Sequence, residues 1–141
     1  MATFVKINDF AEYLAEGAIN LATDQIVVAL SNTAPASETS NPTASGNGVL
    51  ANVTQIAYTN LSSRNVTTTP SDEAAGTYTL SLTDLTLTAS GAVATFRYVY
   101  IYDDTHVSDA LIGYWDYGSA VTMANTETFD INFAASTLTI A

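Results

Sequence analysis

The chain has 141 residues, 48% of them hydrophobic and 12% charged, no cysteine, and 14 acidic residues against three basic ones, Lys6, Arg64 and Arg97, for a formal net charge of -11. This length suits one domain with a core of its own, and the hydrophobic fraction is far from the signature of disorder. The absence of thiols removes disulfides, thiolate nucleophiles and thiolate zinc sites, and the scarcity of cations argues against direct binding to nucleic acid or to anionic membranes.

The charge suits solubility, or docking on a basic protein surface. At the N-terminus, Asp9, Glu12 and Glu16 interrupt the apolar stretch that a signal peptide needs, and no run reaches membrane-spanning length. Synthesis as a soluble protein in the cytosol is the expectation. The Asn52, Asn60 and Asn65 sequons then have no bearing on glycosylation.

Residues 1–8 read as an N-terminal arm. Phe10, Tyr13, Leu14, Ala18 and Leu21 follow at spacings of three and four, which predicts a helix over about 9–21. Asp9 stands where an N-cap would, with Glu12 as its capping-box partner. The short β-branched run from Gln25 to Ser31 has the pattern of a strand buried on both faces. Residues 32–48, NTAPASETSNPTASGNG, are rich in turn formers and offer almost nothing to bury, so they read as a long polar loop, either mobile or an arm that orders on a partner.

Residues 49–58 fit a helical turn better than a strand. From Arg64 onward the pattern is β: RNVTTT, a turn at PSDEAAG, then TYTLSL, DLTLTA, AVATFRYVYIYDD, DALIGYWDYG, VTMA, ETFDINFA and STLTIA. The fold class expected for residues 1–141 is therefore mainly β, an antiparallel β-sandwich or jelly-roll-like barrel with one N-terminal α-helix and a long polar loop, in a single β-rich domain. The hairpin FRYVYIYDDTHVSDALIGYWDYGS, residues 96–119, carries large side chains on both faces of each arm and is expected to form the central pair of strands.

Chemistry is hard to find in this text. The one histidine, His106, lies on the hairpin turn near Asp103, Asp104 and Asp109, but the alternating oxygen ligands, central glycine and closing glutamate of a calcium loop are missing. No GxSxG elbow accompanies the imidazole. Asp116, between Trp115 and Tyr117, evokes a glycosidase carboxylate yet sits where a strand would end. Gly46 and Gly48 lack the lysine and the following helix of a phosphate-binding loop. No catalytic, cofactor or metal site is expected, and the chain is expected not to be an enzyme.

The segments IVVALSNTAP, FRYVYIYDD and LIGYWDYGS, followed by ETFDINF, resemble a group of small structural proteins of tailed bacteriophages, over nearly the full length of the chain. The pattern departs in the middle, where a Gly-rich turn would be expected and residues 59–65 read TNLSSRN. The resemblance implies a virion component, a head decoration or cement protein that binds the outside of the capsid lattice. Its partners would be the major capsid protein and further copies of itself, as a homotrimer at the threefold positions. Residues 1–8 and 32–48 would be the arms that reach the capsid, with partner contacts at Phe4, Lys6, Tyr98, Tyr100, Tyr102, Trp115 and Tyr117. The alternative is a tail or fibre-base protein touching a host receptor or glycan, with Trp115 and Tyr117 as a stacking platform. A small hydrolase would instead show a cleft around His106.

Overall fold

The computed structural model describes residues 2–68, 72–133 and 138–141. The fold is mainly β, with antiparallel sheets in a sandwich-like arrangement and one helix near the N-terminus, as the sequence predicts. In chain order its elements are β1 (Phe4–Lys6), α1 (Asn8–Ala15), β2 (Ile26–Ser31), β3 (Asn65–Val66), β4 (Asp72–Ala74), β5 (Thr77–Leu80), β6 (Leu85–Thr88), β7 (Val93–Asp103), β8 (Ala110–Met123), β9 (Thr128–Ile131) and β10 (Leu138–Ile140), with short 3-10 turns at Pro35–Ser37 and Leu50–Asn52. The main sheet runs β1-β8-β7-β2-β3; β10-β5-β4 and β6-β9 form smaller sheets. Parts of the expected strands that fall on 69–71 and 134–137 lie outside the described residues, as does Met1 of the expected arm.

β7 is the centre of the main sheet, flanked by β8 and β2, so the hairpin is interior. β2 is buried along its whole length, because its side chains are apolar on both faces and a neighbour covers each. Register pairs Tyr100 with Tyr114 and with Ala29, and Val99 with Trp115 and with Leu30. Tyr98, Tyr100 and Tyr102 all point into the core, beside Val99 and Ile101 on the opposite face. Burying both faces of one strand is what the run FRYVYIYD is for: each alternate side chain has a hydrophobic layer to enter.

β8 is a single long strand where two were expected. Between the Tyr98–Asp116 and Phe96–Val121 pairs, residues 117–120 have no partner on β7, and Gly118 takes φ 92° there. The extra residues form a bulge, which lets the strand continue past the position where glycine was read as its end.

The helix differs from its expected span. It stops at Ala15, and Gly17 (φ 73°) turns the chain while the Ala18 and Ile19 amides both donate to the Tyr13 carbonyl, at 2.8 and 3.2 Å. Ile19 and Leu21 still reach the core, but from an irregular turn. Asp9 is not the N-cap. Ile7 takes that position without a side-chain cap, and Asp9 lies in the first turn, buried, accepting hydrogen bonds from the Gly46 (2.9 Å) and Gly48 (2.8 Å) amides.

These bonds make residues 32–48 a packed strap. Asn8 Nδ2 donates to the Thr43 carbonyl at 2.8 Å, and Glu38 accepts from the amide and hydroxyl of Thr54 at 2.8 and 2.7 Å. Pro35, Pro42 and Gly48 are buried. The Leu111 amide donates to the Gly48 carbonyl at 2.9 Å, tying the strap to the start of β8. Composition alone hid this, because the strap is held by polar bonds and two prolines and shows no apolar period.

The expected N-terminal arm is also tied down. β1 lies antiparallel on β8 with Phe4 opposite Trp115 and Lys6 opposite Gly113. The Phe4 ring lies over Gly113 so closely that a Cβ there would come within 2.2 Å of it.

Candidate functional site

The residues singled out by sequence fall on the β7–β8 hairpin and the β1 edge. Tyr98, Tyr100 and Tyr102 are buried within the chain's own core, which leaves them no surface to offer a partner in this fold. The Tyr100 ring stacks on Tyr114 with centroids 5.3 Å apart and planes at 29°. Its hydroxyl is buried without a hydrogen-bond partner, and burial raises its pKa well above the ordinary phenol value.

Trp115 is half-buried between Phe4 and Phe133, at centroid distances of 4.9 and 5.8 Å. A ring covered on two sides is a poor sugar platform, since stacking a ligand needs an open face. Tyr117 is 53% exposed and meets Phe129 edge-on at 5.3 Å. Lys6 and Val5 are exposed on the outer strand of the sheet. The surface available at the expected contact positions is therefore Lys6, Tyr117 and the outer rims of Phe4 and Trp115.

Beside Tyr117, Arg97 grips Asp116 through two parallel bonds, Nε to Oδ1 at 2.7 Å and an NH2 donor to Oδ2 at 2.9 Å. Asp116 Oδ1 also accepts from the Gly118 amide at 2.8 Å. The Arg97 bond holds the Asp116 carboxyl below the usual carboxylate range. That carboxylate is spoken for as a brace for the bulge, and its lowered pKa is opposite to what a general acid needs.

At the other end of the hairpin, His106 sits on the turn, its ring 4.9 Å from that of Tyr13 on α1. Its Nδ1 accepts from the Ser108 amide at 3.1 Å. Asp109 takes φ 49° to close the turn and passes its carbonyl to the Leu50 amide at 3.0 Å. Asp103 is fully buried at the end of β7, where Oδ1 accepts from the Thr105 (2.8 Å) and His106 (3.1 Å) amides. Burial first, and then the adjacent Asp24 carboxyl, push Asp103 up to about 6. Among the described residues, no group of three or more His, Cys, Asp or Glu is arranged to hold a metal ion.

A shallow groove of about 360 Å³ lies between the end of α1 and the β5–β10 pair, lined by Leu14, Ile19, Leu21, Tyr78 and Ile140 among others. Its lining contains no imidazole, carboxylate or amine. His106 is not among its residues, so the groove is not the cleft that a hydrolase centred on His106 would require.

Sequence reasoning missed Arg64 and Tyr58. Arg64 lies over the Tyr58 ring at 3.6 Å and donates to the Val28 carbonyl, while the Tyr58 hydroxyl accepts from the Leu30 amide at 2.9 Å and donates to Gln55 at 2.7 Å. Together they satisfy the flank of β2 beyond the end of β3. The signal was present as one of only three cations in the chain, but nothing local ties it to a strand so far upstream.

The fold defines a class, a mainly β, sandwich-like protein with antiparallel sheets and one N-terminal helix. Comparison with family models, curated proteins and solved structures finds no match to the chain. Among the described residues no helix is long and apolar enough to cross a membrane.

Proposed function

We propose that the protein is a structural component of a tailed-phage virion, a decoration or cement protein that binds the outer surface of the head and stabilises the shell. The observation that carries this reading is the use made of the hairpin's aromatic residues. Tyr98, Tyr100 and Tyr102 fill the core, Trp115 is wedged between Phe4 and Phe133, and Asp116 braces a bulge, so the most distinctive stretch of the sequence serves cohesion. A protein whose work is to hold surfaces together needs such a rigid ribbon and no reaction centre. The resemblance of IVVALSNTAP and LIGYWDYGS to phage structural proteins points the same way.

Under this reading the net charge of -11 keeps free copies apart from nucleic acid and favours a basic patch on the major capsid protein. The contact surface is the outer strand of the main sheet with its neighbour Tyr117. Three copies meeting at a threefold position would each present the same β1 edge, with Val5 and Lys6 outward. The covered face of Trp115 takes support from the glycan-platform alternative.

The test is cryo-electron microscopy of the parent virion with and without the protein. Density on the outside of the head that fits this fold, lost from particles lacking it together with their resistance to heating, is the expected result. Density at the tail, or a head that is unchanged in occupancy and stability, overturns the reading. A variant lacking residues 2–6 is expected to leave the heads undecorated.

A further inference from the structure

Asp103 presents a problem that the cohesive role of the hairpin does not solve. It is fully buried, yet only one of its carboxyl oxygens is satisfied: Oδ2 is buried and no N–H or O–H donor reaches it. The group beside it is a second carboxyl, that of Asp24 in the connection between α1 and β2. Asp24 Oδ2 accepts from the Asn20 amide at 2.7 Å. The two chain segments are laced together around the pair, since the Asp104 amide donates to the Gln25 carbonyl and the Gln25 amide to Thr105 Oγ1, both at 2.9 Å.

Among the described residues no lysine or arginine is at hand to neutralise a doubly charged pair. Arg64 is engaged by Tyr58, the Val28 carbonyl and the Tyr102 hydroxyl, Arg97 is paired with Asp116, and Lys6 lies on β1. The other titratable groups of this end of the molecule are Tyr102 of β7, Asp104, His106 and Asp109 of the hairpin turn and Tyr13 of α1. A buried carboxylate with an unsatisfied oxygen beside a second carboxyl cannot ionise cheaply without a cation, and one proton held between the two is the simplest relief.

We propose that Asp24 and Asp103 share a single proton and act as an acid-closed latch between the α1–β2 connection and the base of the β7–β8 hairpin. With the proton in place, Asp103 Oδ2–H donates to the Asp24 carboxylate, and the orphaned oxygen becomes a donor with an ideal acceptor. When the proton leaves, the buried Asp103 carboxylate faces the like charge of the part-exposed Asp24 and the connection loosens. Asp103 titrates in the fold above its ordinary value of 3.8, at about 6, so the latch is fully closed below about pH 4 and opens as pH rises through about 6. The same connection supplies Ile19 and Leu21 to the wall of the apolar groove, so the latch also governs how firmly that wall is held.

Carbon-detected NMR of the aspartate carboxyls, combined with thermal unfolding across pH, tests the proposal. The Asp103 carboxyl is expected to titrate near 6. Asp103→Asn keeps a donor aimed at Asp24 and removes the charge, so it should raise the melting temperature at neutral pH by about 2–6 °C and flatten the wild-type gain on mild acidification. The general relief of the chain's negative charge on acidification persists in that variant, which separates it from the latch. Asp24→Asn, which also leaves one carboxylate, should act in the same direction if Asp103→Asn does not fold. An Asp103 midpoint in the ordinary carboxylate range overturns the proposal, as do variant pH profiles parallel to the wild type. So does calcium chloride stabilising the wild type at neutral pH but not the variants, since the pair would then be a cation site.

Discussion

Two hydroxyl groups on tyrosines have opposite standing in this molecule. The Tyr58 hydroxyl accepts from the amide of Leu30, the fully buried second-last residue of β2, where the neighbouring β3 has already ended. Tyr58→Phe leaves that amide without a partner, and urea denaturation should show a loss of about 1–3 kcal/mol. The Tyr100 hydroxyl is buried with no partner at all. Tyr100→Phe retains the ring stacked on Tyr114 and removes the desolvated group, so the same measurement should show no loss, or a gain of about 1 kcal/mol. The contrast is the useful result, because both changes delete one oxygen from a phenol and only the hydrogen-bond accounting differs.

At the scale of elements, the strands with a strong apolar period were legible and the segments held by polar bonds were not. β2 and β7 could be read because β-branched and aromatic residues fill both faces. The helix was read too long because Ala18 and Leu21 keep a helical spacing after Gly17 has already turned the chain. β4 fell in a stretch read as a turn, since Asp72–Ala74 is wholly exposed and only the tight turn at Ala75 (φ 52°) and Gly76 (φ 84°) reveals it as half of a hairpin with β5. The strap over 32–48 was read as mobile or as an arm that orders on a partner, because its anchor, Asp9, looked like a helix cap. Asp9→Ala removes both bonds to Gly46 and Gly48, at a cost of about 2–4 kcal/mol, and hydrogen exchange should speed up at those two amides first. Of the candidate site, the hairpin was visible in sequence, but the Asp24–Asp103 pairing was not, since no local pattern links a residue of the α1–β2 connection to one at the far end of β7.

At the scale of the whole molecule, the aromatic faces are closed within one chain. A single copy therefore has the core it needs, and the melting temperature of the free protein is expected not to change with protein concentration, which calorimetry over a hundredfold dilution would check. Its charge of -11 is a separate load on stability. Sodium chloride screens that self-repulsion, so stability at neutral pH should rise as salt is added up to physiological strength, more than the exposed Arg97–Asp116 pair loses by the same screening.

The register of the outermost strand has a consequence for how the chain is born. Phe4 pairs with Trp115, and β2, β5 and β6 likewise find their partners in β7, β10 and β9, far downstream. During synthesis the opening residues therefore leave the ribosome with nowhere to dock until the hairpin has followed them out. Such wiring makes for slow, late, all-at-once closure, and exposes unpaired edges to neighbouring nascent chains in the meantime.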